Sequence, residues 1–324
     1  MNVRRLALLA GILVASLTLT GCQTASSGGS ASTHQLTVGF SQVGAESGWR
    51  TANTKDIRAA FAHANITLKF SDAQQQQENQ IATIRAYIQQ RVNVIAFSPV
   101  VESGWDTVLK EAKTAGIPVV LTDRAIDTSD SSLFVTRLGS DFVREGQKAG
   151  EWATKEFATS TSVNVIEIEG TTGSAPTIGR RTGFARAIGT DSKFKIIATQ
   201  DGGFTRSGGE QAMEALLKAH PDVDLVYSQN DDMALGAIQA IEAAGKRPGI
   251  DIKVESIDAT RDGMTALAAG KINFIVECNP LLGAGLVTVV KAIAAGKHVP
   301  KLVISQERTF TREQAIRALP TRKY

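Results

Sequence analysis

Leu36-Thr37-Val38-Gly39-Phe40-Ser41-Gln42-Val43-Gly44-Ala45-Glu46-Ser47-Gly48-Trp49-Arg50 passes from an apolar run, through a glycine-punctuated polar turn, to a segment of helical period, Thr51 to His63. A short β-prone run, a turn carrying charge and then a helix form the unit from which parallel sheets are built. The unit recurs along the chain. Further strand-like runs are Ile66 to Ser71, Val92 to Ser98, Pro118 to Thr122, Val163 to Ile168, Lys195 to Thr199, Asp224 to Ser228, Lys253 to Ile257 and Lys271 to Glu277. Helical segments between them are Gln77 to Gln90, Trp105 to Ala115, Glu145 to Phe157, Gly208 to Ala219 and Met233 to Ala244, with Gly116 and Gly245 placed as C-terminal stops. Such alternation predicts an α/β fold with helices on both faces of parallel sheets. An irregular join at Ser131 to Asp141 divides the pattern, so two similar domains are expected rather than one large sheet.

Upstream of the first unit, Arg4 and Arg5 precede an apolar stretch, Leu6 to Leu19, that ends in Leu19-Thr20-Gly21-Cys22. A basic start, a short apolar core and a small-residue cleavage site predict a lipoprotein export signal over 1–21, because a membrane span needs roughly 20 apolar residues. Cys22 is then the lipid-carrying residue, and the Ser/Ala/Gly/Thr-rich 22–34 a flexible tether. The protein is therefore expected outside the cytoplasm, in the periplasm or at the cell surface, held to a membrane by its lipid. The whole sequence has 35 Lys+Arg and 32 Asp+Glu; loss of Arg4 and Arg5 leaves 33 against 32, a net of +1, which argues against a nucleic-acid partner. The remaining 303 residues (324 less 21) exceed what one core usually organises. With Cys22 lipidated, Cys278 is the sole remaining cysteine and no intrachain disulfide is expected.

In open α/β sheets ligands bind beyond the carboxyl ends of strands. The residues just past each run here are rich in charge, amide and aromatic groups: Glu46, Trp49 and Arg50; Asp123 and Arg124; Glu169; Phe204 and Arg206; Asn230; Asp258; Glu277. Carboxylates accept from hydroxyls, guanidinium and amide groups donate to them, and an aromatic face covers C–H surface, so such a set suits a neutral polyhydroxylated ligand.

These strings, with Gln77-Glu78-Asn79-Gln80-Ile81, Asp123-Arg124, Gly203-Phe204-Thr205-Arg206, Asn230-Asp231-Asp232-Met233 and Gly236-Ala237-Ile238-Gln239-Ala240-Ile241, resemble the ribose/galactose cluster of periplasmic binding proteins. Within it they are similar to the branch that binds galactofuranose for bacterial sugar ABC importers. The likeness covers essentially the whole mature chain. It implies two Rossmann-like lobes joined by a three-segment hinge, 35–139 with 278–306 forming one and 140–277 with 307–324 the other. It also implies a monomer without cofactor or metal, closing on one monosaccharide and delivering it to permease subunits. Carried over residue by residue, Asp123 and Arg124 resemble the family's sugar-gripping pair, and Arg180 the arginine of the facing lobe. Asn230 and Asp258 resemble its amide and carboxylate, Phe204 a ring-stacking aromatic, and Glu46, Trp49 and Arg50 the contacts of the furanose branch. Glu277 is carried over too, although its spacing to Pro280 departs from the ribose-binding pattern. Ribose-binding members place an aromatic pair where this chain has Trp49 flanked by charge, which favours a ligand with a more polar edge.

Each position also has a plainer use: Asp123 and Asp258 as helix caps, Arg124 and Arg180 in ion pairs, Trp49 in a core, Phe204 as a pin for its loop, Cys278 as a small buried apolar group. Enzymatic motifs are absent from the sequence. There is no Gly-x-Ser-x-Gly elbow, Gly170-Thr171-Thr172-Gly173-Ser174 lacks the lysine of a phosphate loop, and His34, His63, His220 and His298 have no metal-ligand spacing. A lipid-anchored sensor subunit for a chemoreceptor or histidine kinase would use the same fold and pocket, and another pentose or hexose the same groups.

Overall fold

The computed structural model describes residues 35–189 and 191–324; the expected signal 1–21, the tether 22–34 and Cys22 lie outside the described residues. The chain first builds β1 (Thr37–Gln42), α1 (Gly48–His63), β2 (Thr67–Asp72), α2 (Gln77–Gln89), β3 (Val94–Phe97), α3 (Asp106–Thr114), β4 (Val119–Thr122) and β5 (Thr136–Gly139). It then crosses to a second lobe comprising α4 (Phe142–Glu156), β6 (Val163–Glu169), α5 (Ala175–Ile188), β7 (Phe194–Asp201), α6 (Arg206–Ala219), β8 (Leu225–Ser228), α7 (Asp231–Ala243), β9 (Lys253–Asp258), α8 (Arg261–Ala269) and β10 (Phe274–Glu277). From there α9 (Gly283–Ala294) and β11 (Leu302–Ile304) return to the first lobe, while β12 (Thr309–Phe310) and α10 (Arg312–Ala318) complete the second.

Two six-stranded sheets result, ordered β11-β5-β4-β3-β1-β2 and β12-β10-β9-β8-β6-β7. Their pairings are parallel except the antiparallel β10/β12 pair, in which Ile275 faces Phe310. The order reverses beside β1 in one sheet and beside β6 in the other, and a crevice opens at the carboxyl ends there. Three segments cross between the lobes: Ser140 with Asp141, Cys278 to Leu282, and Ser305 to Arg308.

Each sheet has an apolar layer on both faces. Phe40, Ile57, Phe61 and Leu286 fill one face of the first lobe, and Ile84, Phe97, Trp105 and Leu109 the other. In the second lobe Met213, Met233, Ile241 and Leu267 pack on one side, and Phe184, Tyr227, Ile257 and Phe274 on the other. The irregular join of the sequence contains β5, whose four residues Thr-Arg-Leu-Gly are too short and too polar to announce a strand. Helix α5 follows β6. Its sequence carries Pro176, Gly179 and Gly183 in place of an apolar stripe, because it crosses α4 backbone to backbone: a Cβ on Gly146 would lie 2.0 Å from the Arg180 carbonyl oxygen, and one on Gly183 would lie 2.0 Å from that of Val143. That crossing brings Arg180 and Glu145 together.

Candidate functional site

Ser47 caps α1 by accepting from the Arg50 backbone N–H at 3.1 Å, so the first helical turn presents Trp49 and Arg50 at the end of β1. Arg50 donates from Nε to Glu46 at 3.0 Å and from Nη2 to Asp123 at 2.8 Å. Asp123 follows β4 with φ +60°, a left-handed backbone that costs roughly 1–3 kcal/mol in a non-glycine residue and persists where the surroundings enforce it. Ser98 at the end of β3 donates a further hydrogen bond to its carboxylate at 3.2 Å. Arg124 is anchored by Nη1 on the Val100 carbonyl at 3.0 Å and has Nη2 3.7 Å from Glu46.

The second lobe answers across the cleft. Arg180 donates from Nε to Glu145 at 2.8 Å and from Nη1 to the Gln229 carbonyl at 2.6 Å, with Nη2 3.7 Å from Asp258. Asp258 ends β9 at φ +128°, a second backbone outlier at the site. Phe204, φ +62°, places its ring 5.3 Å from the Arg124 guanidinium and 5.9 Å from that of Arg180. This contact is allowed because residue 170 is glycine: a Cβ there would lie 1.9 Å from the Phe204 ring. Asn230 caps α7 by accepting from Met233 N at 2.9 Å and donates from Nδ2 to the Phe204 carbonyl at 3.1 Å.

Glu46, Ser47, Trp49, Arg50, Asp123 and Arg124 from one lobe, with Pro176, Arg180, Phe204, Asn230 and Asp258 from the other and Cys278 from the hinge, line one small cavity. The lobes touch at its rim, where Gly48 N donates to Asp232 at 2.7 Å and Glu102 N to the Gly173 carbonyl at 2.9 Å. The Trp49 indole N–H donates to the Cys278 carbonyl at 2.7 Å, and the indole lies under the Arg50 guanidinium at 4.7 Å. Trp49 thus combines core packing with a cavity wall.

Four buried polar atoms of this cavity have no partner among the described residues: Glu46 Oε2, Arg50 Nη1, Arg124 Nε and Asp258 Oδ2. Leaving such atoms unpaired costs on the order of 1–3 kcal/mol each, so the arrangement is incomplete without a bound molecule that donates and accepts. Three guanidinium groups are matched by Glu46 and Asp123 at the cavity and by Glu145 behind it, which suits a ligand without net charge. Burial drives the Asp258 carboxyl well above its ordinary range. Burial and the neighbouring Arg50 push Arg124 down to about 10, still charged at neutral pH. Burial would lower Arg50 and Arg180 as well, but Glu46 and Asp123 hold the first above its ordinary value and Glu145, foremost, the second.

Nine of the ten residues singled out in the sequence therefore meet at one cavity. Glu277 does not. Its carboxylate accepts from Arg322 Nη1 at 2.7 Å, the Tyr324 hydroxyl at 2.9 Å and Arg308 N at 3.0 Å, so it ties the C-terminal tail to β10. The next residue, Cys278, takes the place at the cavity wall. Pro176, Cys278 and the supporting Glu145 were not indicated by the strand-end rule; a helix start, a hinge and a helix face deliver them instead.

A profile described as a periplasmic binding protein domain matches residues 38–298. The chain is 43% identical over 292 residues, 89% of its length and 92% of the relative's, to the galactofuranose-binding protein YtfQ of Escherichia coli strain K12. Among solved structures, a Mycobacterium smegmatis protein in complex with β-D-fucofuranose superposes with a TM-score of 0.88 at 57% identity, covering 89% of this chain and 95% of that one. The binding component of the arabinose ABC transporter of Shewanella sp. ANA-3, bound to α- and β-L-arabinofuranose, superposes with a TM-score of 0.85 at 44% identity, covering 89% and 95%.

Proposed function

Because the chain belongs to the periplasmic binding protein domain family, we propose that it is the sugar-capturing component of a bacterial ABC importer, and that its ligand is a furanose, galactofuranose first. The observation that carries this reading is the ring of four unpartnered buried polar atoms, contributed by both lobes to one small cavity. Two of them accept and two donate, as the hydroxyls of a neutral sugar require. The relatives named above carry galactofuranose, fucofuranose and arabinofuranose in their names or complexes, three five-membered rings. Glu46, Arg50, Asp123 and Arg124 grip from one side, Arg180, Asn230 and Asp258 from the other, and Trp49 and Phe204 cover the C–H surface.

Capture involves no bond chemistry. Residues 35–139 with 278–306 and 140–277 with 307–324 act as two bodies that swing about the three crossings. Contacts made only when both touch the sugar shift the population to the closed form, the shape a permease recognises. A lipid on Cys22 holds the monomer at the membrane.

Calorimetry on residues 23–324 with D-galactose, D-fucose, L-arabinose and D-ribose tests the reading, with NMR of bound ¹³C-galactose reporting the ring form. Binding of galactose as the furanose, in preference to ribose, is the expected result. Pyranose in the site, or no heat with any of the four, would refute the ligand assignment.

A further inference from the structure

The three crossings of the hinge meet at one buried polar cluster. Ser140 from the first, Cys278 from the second and Glu307 from the third gather beside Glu145 of α4, and ligating atoms of Glu145, Cys278 and Glu307 lie within 4.8 Å of one another. Glu307 Oε1 accepts from the Ser140 hydroxyl and from Asn279 N at 3.1 Å. Ser140 Oγ also lies 3.4 Å from the Cys278 sulfur. Glu145 is fully buried. Its Oε2 accepts from Arg180, and its Oε1 has no donor among the described residues. Two carboxyl groups with oxygens within 4.8 Å of each other inside a protein repel strongly if both are ionised. A metal ion would relieve that repulsion, but Arg180 on Glu145 and Lys148, whose ammonium donates to the Glu307 carbonyl at 3.2 Å, already place positive charge around the pair. A proton is the simpler solution.

We propose that Glu307 carries a proton that it donates to Glu145 across the hinge, and that this shared proton positions Arg180 in the ligand cavity when the lobes are closed. Glu145 and Glu307 are positioning residues: neither lines the cavity, yet Glu145 fixes the guanidinium that does. The charged and titratable groups facing the pair are Arg180 on α5, Cys278 and Asp258 from the strand ends, Lys148 on α4, and Arg137 on β5 with Asp141 beside it. Burial first, and Glu145 second, push the Glu307 carboxyl up to about 9, in keeping with a proton retained at neutral pH.

Two measurements on the full mature chain decide the matter. The first needs no sugar. A carboxyl whose folded pKa is raised gives stability that is complete below its unfolded value and is lost as pH climbs toward the folded one. The unfolding constant of the wild type should therefore rise about tenfold per pH unit relative to that of Glu307→Gln between about pH 5 and 9. Glu145→Gln should shrink the same slope, so either variant suffices if the other fails to fold. The second measurement, which rests on the sugar-binding reading, is affinity for D-galactose. Glu307→Ala should weaken it at least about tenfold at pH 7 by freeing Glu145, and Glu307→Gln, which keeps a donor, should restore it. Parallel melting profiles for wild type and both glutamine variants, or Glu307→Gln binding as weakly as Glu307→Ala, would overturn the proposal. Absence of galactose binding by the wild type would remove the ligand assignment and leave the melting result to decide the shared proton.

Discussion

Replacing Arg124 by alanine is the sharpest test of the cavity. In the closed structure this guanidinium spends one nitrogen on the Val100 carbonyl at 3.0 Å, stacks 5.3 Å from the Phe204 ring and keeps Nε without a partner. The variant loses the bond that Nε makes to a sugar hydroxyl, about 1.5–3 kcal/mol for a charged donor, which corresponds to roughly ten- to a hundredfold in Kd. It also leaves Glu46 and Asp123 to share Arg50 alone, which disfavours the closed form further. Arg124→Lys keeps the charge but neither the planar fork nor the stacking, and should fall between wild type and alanine. Calorimetric titration with D-galactose, accompanied by sugar-free melting to show that the variants are folded, reads the effect. A Kd for Arg124→Ala within threefold of wild type would refute the assignment of this residue to the ligand.

Gly170→Ala should drive the Phe204 ring out of the cavity, since the new methyl would overlap it at 1.9 Å; circular dichroism should be unchanged while galactose binding falls at least about tenfold. Asp232→Ala removes the rim bond to Gly48 N at 2.7 Å without touching ligand, so sugar should dissociate about fivefold faster in stopped-flow fluorescence, equivalent to about 1 kcal/mol, and an unchanged rate would exclude a latch. Glu255 on β9 is completely buried with both oxygens unpartnered, and burial raises its carboxyl well above the ordinary value. Its contribution is therefore complete below the unfolded pKa and is lost as pH rises toward the folded one, about 1.4 kcal/mol per unit. Glu255→Gln should gain stability on wild type as pH rises above the unfolded carboxylate value in denaturant unfolding, and parallel profiles would show that the carboxyl is not buried as described.

The cavity was largely legible because parallel sheets place strand ends in a common crevice, so residues far apart in sequence share a position in the repeated unit. Glu46 and Asp123 follow β1 and β4, and Asp258 ends β9. The same rule misplaced Glu277, because it does not see the C-terminal tail: Arg322 and Tyr324 lie 45 and 47 residues away and claim that carboxylate through tertiary contact alone. Helix α5 is faint in the sequence for a related reason. Periodicity registers apolar stripes, whereas α4 and α5 are joined by glycines that permit close approach, and a glycine-for-backbone contact leaves no hydropathy signal.

The least legible part is the support behind the cavity, and there the fold adds what sequence patterns lack. Arg180 resembles a ligand-binding arginine from its string alone, but its direction is set by Glu145 and by the Gln229 carbonyl. Glu145 sits in an amphipathic helix where an acidic residue in the first turn would ordinarily favour the helix dipole and face water. The glycine crossing buries it instead, beside the hinge carboxyl of Glu307. A charged residue at a helix start becomes a link between ligand and hinge only because three distant segments, near residues 145, 180 and 307, converge there, a coincidence carried by topology and by no local pattern.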